Sequence, residues 1–268
     1  MGQTAVPTTP ERVVVLDNAA LDAAIALQIK PIGASAYGGL PQYLGEVTAG
    51  ITLVGDANQS NLEAILQLKP DLILGTKISA GKTYRALSQI APTVLSEENG
   101  RFGDWQDHFQ LYAKVLGKAD QAEILLETYQ QRIQALQGQI DNPQDIQVSV
   151  IIPYDDRIIT YTTSSFSGSV LNDVGFARNP AQVSQRRFAL SLSREDLASL
   201  DGDLVFLITD SPAVSQATKI AFSQDPVWSQ LQAVQQDRLC NVDVEVWTAG
   251  RSILAALQIL DDIEACLP

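Results

Sequence analysis

Between Lys118 and Ile140 the chain runs without a proline and with a single glycine, Gly138, near the end of the stretch. A helix of about 20 residues extends roughly 30 Å, the width of a small domain. This stretch therefore predicts one long helix that connects two bodies. Ile124, Leu125, Tyr129, Ile133 and Leu136 are expected to form its apolar stripe, and DNPQD over 141–145 supplies a break after it. The division that follows is a tether over 1–10, an N-terminal lobe over 11–117, the connecting helix over 118–140 and a C-terminal lobe over 147–268.

On both sides of the helix, strand-like runs (RVVVL, DLILG, PTVL, SVII, RIITY, DLVFLIT) alternate with helix-like ones (NAALDAAIALQI, FQLYAKVLG, SILAALQILDDI). That alternation means an α/β fold with mainly parallel sheets. An internal echo supports two lobes. In SNLEAILQLKPDLILGT and SREDLASLDGDLVFLIT, Glu63 and Glu195 each stand five residues before a leucine and eight before an aspartate, Asp71 or Asp203, that opens a strand. Ser60 or Asn61 in the first copy and Ser193 in the second are suited to cap the short helix between.

Composition removes several functions. The formal charge of −13 repels nucleic acid at long range and favours a ligand of low charge. No window approaches the ~20 apolar residues of a membrane-spanning helix. One histidine, His108, and two cysteines argue against a resident zinc or manganese, so neither metal nor cofactor is expected. Tyr37, Tyr43, Tyr84, Tyr154 and Tyr161 show no spacing that would gather them on bare Fe³⁺. A glycine-rich phosphate loop, a GxSxG elbow and an HExxH helix are absent, so no catalytic residue is assigned and the chain reads as a binder, not an enzyme. The Thr/Pro-rich start reads as the tether of an exported protein, periplasmic or extracellular, with a lipid anchor before it left open. Cys240 and Cys266 fit an oxidising compartment if bridged.

From about residue 11 onward, RVVVLDNAALDAAIALQIKPIGAS, NLEAILQLKPDLILGT, IAPTVL, the long helix and DPVWSQLQAVQQDRLCNVDVEVW follow one another in an order that resembles the ferric-siderophore and vitamin B12 group of periplasmic binding proteins. The resemblance implies two α/β lobes joined by a rigid helix, with the ligand in a cleft between them. It also implies a monomer that delivers a ferric siderophore, of hydroxamate or citrate-hydroxamate type, to the permease dimer of an ABC importer. Vitamin B12 or haem binding, or a non-transport signalling domain, are the alternatives.

By the same resemblance Ser79 lines the pocket, while the family's ligand-facing arginine is replaced by Ala57, and Lys77 is the residue placed to supply a charge nearby. In the second lobe Arg187 and Phe188 offer planar donors and an apolar face, and Trp247 followed by Arg251 offers an aromatic face beside a guanidinium. Tyr84, Arg101, Trp105 and Phe166 stand in loops expected to reach the cleft. Glu63 and Glu195 match the family's permease-docking glutamates. The final helix is expected to return beside the strand of Cys240, which would join Cys240 to Cys266.

Overall fold

Val13, Val14 and Val15 are fully buried, as a strand covered on both faces of a parallel sheet must be. In the computed structural model, which describes residues 4–210, 214 and 216–267, they form β1 (Val13–Val15). After it come α1 (Asn18–Ala26), β2 (Gly33–Ala34), β3 (Thr52–Leu53), the small hairpin β4 (Gly55–Asp56) and β5 (Gln59–Ser60), α2 (Leu62–Leu68), β6 (Leu72–Thr76), α3 (Lys77–Ala80), α4 (Tyr84–Ile90), β7 (Thr93–Ser96), α5 (Trp105–Val115) and α6 (Ala119–Gln139). The first sheet has the order β3-β2-β1-β6-β7 and is parallel throughout. Val14, Leu16, Val54, Ile65, Ile73 and Leu87 fill the core on one side of it, each contributing about 1.5–3 kcal/mol of burial.

The second half comprises β8 (Gln147–Pro153), β9 (Ile158–Tyr161), α7 (Phe166–Val174), β10 (Ala177–Arg178), β11 (Ala189–Leu192), a 3-10 segment (Arg194–Leu200), β12 (Leu204–Asp210), α8 (Gln216–Ser223), α9 (Gln232–Gln235), β13 (Leu239–Asp243), a π-helical turn (Glu245–Gly250) and α10 (Ile253–Cys266). Its sheet runs β11-β9-β8-β12-β13, with β10 also paired to β8. β8, β10, β12 and β13 are parallel, and β9 alone is reversed, pairing antiparallel with both β8 and β11. Cys240 and Cys266 are joined by a disulfide, with Cα atoms 6.0 Å apart.

The chain forms two compact units. The first takes residues 1–100, 104–129 and 249–255; the second takes 101–103, 130–248 and 256–268. The division departs from contiguous lobes because the Asp22 carboxylate binds the backbone N–H groups of Leu254 (3.0 Å) and Ala255 (2.9 Å), which ties the start of α10 to α1. The long helix α6 is present as one unbroken element of 21 residues. Its buried stripe differs from the one read in the sequence. Ala122, Tyr129, Ile133, Leu136 and Ile140 are buried, whereas Ile124 is 62 % exposed. Helical spacing puts Ile124 about 140° around the axis from Tyr129, on the solvent side.

Candidate functional site

In parallel α/β sheets the loops beyond the carboxyl ends of the strands gather ligands. In the first unit those ends lead to Asp17, Tyr37, Lys77 and Glu97. Asp17 caps α1, accepting the Ala20 N–H at 2.9 Å through one oxygen and the Ser79 hydroxyl at 3.1 Å through the other. Burial raises its pKa despite these bonds and the nearby Arg251 charge. Ser79 also meets the Thr76 N–H and hydroxyl, so its hydroxyl closes the start of α3. That use alone accounts for a hydroxyl side chain at this position. Lys77 is ion-paired with Glu97, so its charge already has a partner. Tyr84 opens α4 half-buried, and its hydroxyl makes no hydrogen bond among the described residues.

Arg251 stands between the π-helical turn and α10 with φ at +52°, a conformation that costs a residue with a Cβ about 1–2 kcal/mol. The position is held from below. Asp22 takes the two N–H groups of α10 and the Tyr43 hydroxyl (2.7 Å), and burial pushes its pKa up to about 6 in spite of those bonds. Arg251 presents its guanidinium to the Tyr37 ring, 5.9 Å from the centroid, a cation–π contact. Tyr37 is fixed in turn by its backbone N–H, which donates to the Asn18 side chain at 2.9 Å.

Arg101 and Phe102 belong to the second unit and are bracketed in sequence by Gly100 and Gly103, both with φ near +74°. A Cβ on Gly103 would meet the Cβ of Ser169 at 2.9 Å, so the loop lies against α7 only with glycine there. Phe102 is 46 % exposed and stands edge-on to Phe188, with ring centroids 5.5 Å apart. The Arg101 guanidinium lies 5.3 Å from the centroid of the same Phe188 ring. The loop before β11 is braced through its backbone. The carbonyls of Arg187 and Phe188 accept from the Thr162 hydroxyl (2.5 Å) and N–H (3.0 Å), and the Ser184 hydroxyl accepts the N–H groups of Arg186 and Arg187. The side chains of Arg186 and Arg187 stay exposed, without an ion pair among the described residues. Phenyl rings can pack an apolar ligand arm, and the exposed guanidiniums of Arg186 and Arg187 on the adjoining loop can donate to several oxygen acceptors.

Three expected ligand residues are interior. Trp105 is 0 % exposed and packs edge-on against Tyr129, with centroids 5.2 Å apart. Phe166 is 2 % exposed as the first residue of α7. Trp247 is 0 % exposed, stacked on Phe206 at 4.5 Å, with its indole N–H donating to Asp262 at 2.7 Å. A buried indole with a satisfied N–H is a core anchor. The contacts of Phe102 with Phe188 and of Tyr37 with Arg251 were not read from the sequence. The glycines on either side of Arg101 and Phe102 were the available signal, since they mark a loop forced into close contact. Glu63 and Glu195 are both exposed, each in the first turn of its helical segment. No cluster of three or more His, Cys, Asp or Glu side chains able to hold a metal occurs among the described residues.

Residues 13–245 match the family described as periplasmic binding protein. The chain is 35% identical to a probable siderophore-binding lipoprotein, YfiY, of Bacillus subtilis (strain 168), over 97% of this chain and 83% of that one. It is 33% identical to the achromobactin-binding periplasmic protein of Dickeya dadantii (strain 3937), over 95% and 85% respectively. The fold is similar to that of SirA from Staphylococcus aureus complexed with staphyloferrin B, with a TM-score of 0.85 at 29% identity, covering 99% of this chain and 95% of that one.

Proposed function

Because the chain belongs to the periplasmic binding protein family, whose members are substrate-binding transport proteins and not enzymes, we propose that it captures a ferric siderophore outside the cytoplasm and delivers it to an ABC importer. The observation that carries this reading is the cluster of Arg101, Phe102 and Phe188, with the unpaired Arg186 and Arg187 on the adjoining loop. Guanidiniums donate in pairs to the oxygens of carboxylate or hydroxamate groups, and the phenyl rings suit aliphatic chelate arms. A citrate-hydroxamate chelate of low net charge meets both requirements and avoids repulsion from the acidic surface. Arg251 with Tyr37 makes a like pairing of guanidinium and aromatic ring within the first unit.

Delivery is assigned to Glu63 and Glu195, one exposed carboxylate in each unit, offered to basic residues of two permease subunits by a monomeric protein. The relatives are described as a lipoprotein and as a periplasmic protein, which supports a location outside the cytoplasmic membrane. Calorimetric titration with ferric hydroxamate, citrate-hydroxamate and catecholate chelates, and with cobalamin and haem, tests the assignment. A citrate-hydroxamate chelate is expected to bind tightest. Arg187→Ala and Phe102→Ala should each weaken it about tenfold or more. Failure of every iron chelate to bind, or unchanged affinity in both variants, overturns the reading.

A further inference from the structure

One edge of β8 is shared by two strands. β10 pairs with Gln147 and Val148, and β9 pairs with Ile151 to Pro153, which leaves the backbone of Val150 between them. Side chains fill the gap. The Gln182 amide oxygen accepts the Val150 N–H at 3.0 Å, and the Thr160 hydroxyl donates to the Val150 carbonyl at 2.8 Å. Arg178, at the end of β10, donates through one terminal nitrogen to the Tyr161 carbonyl and to the same Gln182 oxygen, both at 2.7 Å. Accepting two N–H groups fixes which way the Gln182 amide is turned.

What remains is a buried set of donors. Arg178 Nε and Nη1 and Gln182 Nε2 are buried without a hydrogen-bond partner, and no carboxylate pairs with Arg178 among the described residues. Burial lowers the Arg178 pKa to about 10, so the guanidinium still carries its charge at neutral pH. An uncompensated buried charge is costly, and a water molecule brings protons of its own that none of these three atoms accepts. A small anion brings only acceptors.

We propose that Arg178 and Gln182 form a buried site for a small monovalent anion of the halide class, chloride under ordinary conditions. The site bears on ligand recognition as well as stability. The Gln182 carbonyl accepts the Thr163 N–H at 3.0 Å, and the Thr163 and Ser164 hydroxyls both donate to the carbonyl of Ser184, whose hydroxyl braces Arg186 and Arg187. An anion on Arg178 therefore steadies the loop that presents Arg187 and Phe188.

Two measurements on the full chain test this. Crystals grown in sodium bromide should give an anomalous difference peak beside Arg178 Nε or Nη1 and Gln182 Nε2. Thermal unfolding at constant ionic strength, with sodium gluconate exchanged for sodium bromide, should show Tm rising saturably by about 3–5 °C at a tenfold excess over Kd. Arg178→Met should abolish the rise. A water without anomalous signal in the bromide crystals, or a wild-type Tm indifferent to the exchange, overturns the proposal whether or not the variant folds.

Discussion

His108 is the single histidine of the chain, so one imidazole can be followed without ambiguity. It lies buried in α5, 5.7 Å from the Tyr112 ring, and Gly100 packs between its ring and the Arg251 carbonyl. Burial pushes its pKa down from 6.5 to about 4; the Arg251 charge acts the same way, and the Arg251 carbonyl offsets part of it. Because the folded value lies below the unfolded one, the contribution to stability is complete above pH 6.5 and is lost as pH falls through 4. At 1.36 kcal/mol per pH unit the loss reaches ~3 kcal/mol by pH 4, about two-thirds of it by pH 5. Asp22 works in the opposite direction. Its pKa is raised from 3.8 to about 6, so its contribution is complete below 3.8 and is lost as pH rises through 6. The two partly cancel in the wild-type protein, and the test must be a difference. Urea unfolding of wild type and His108→Gln at pH 7, 5 and 4 should show the gap between them narrowing or reversing by about 3 kcal/mol. The imidazole proton resonance should titrate near pH 4. Parallel stability curves, or an NMR midpoint at the ordinary value, would refute the reasoning.

Trp247→Ala should destabilise the protein by about 3–5 kcal/mol, since it removes the Phe206 contact and leaves Asp262 without its indole donor; unchanged stability with lost ligand affinity would return Trp247 to the ligand pocket. Reducing Cys240–Cys266, a bridge with a sequence separation of 26, should cost about 3.5 kcal/mol in the chain-entropy account. An identical urea midpoint with and without reductant contradicts that. The double variant Glu63→Ala and Glu195→Ala should lose permease association or uptake while ligand Kd and Tm barely move, and normal uptake would sink the docking assignment.

The strands were legible because their burial is dictated locally: VVV and the LILG of LILGT are without a polar side chain, as central parallel strands require. The return of residues 249–255 to the first unit was not, because it depends on Asp22 bonding to backbone 232 and 233 positions away. Trp247 shows what a local pattern leaves out. An indole four residues before an arginine reads as a ligand face, yet Phe206 and Asp262 surround it, and neither is near it in sequence. Arg187 and Phe188 could be singled out because an arginine pair beside an aromatic before a strand is a local pattern. Phe102 could not, because its partner, Phe188, enters only through the fold.

The echo between the halves runs deeper than its letters. Asp71 accepts the N–H groups of Glu11 (2.8 Å) and Arg12 (3.0 Å), and its own N–H donates to the Arg12 carbonyl at 3.0 Å. Asp203 accepts the Gln147 N–H at 2.8 Å and donates its own to the Gln147 carbonyl at 2.8 Å. Each aspartate thus stitches the strand it opens to the first strand of its sheet, in the same register: Val13 faces Leu72, and Val148 faces Leu204. The segments before them are not alike. α2 is α-helical and capped by Asn61, whereas Arg194–Leu200 is a 3-10 segment in which Asp196 takes the Ser193 N–H and hydroxyl. A rise of 2.0 Å against 1.5 Å per residue displaces Glu195 by roughly 2–3 Å along its axis relative to Glu63 over the five residues to the closing leucine. In the proposed docking, the long side chain of a partner's basic residue would absorb that difference through its rotamers. The repeated element is an exposed carboxylate at a fixed count from a stitched strand, so docking through it, as proposed, would depend on charge more than on matched helix geometry.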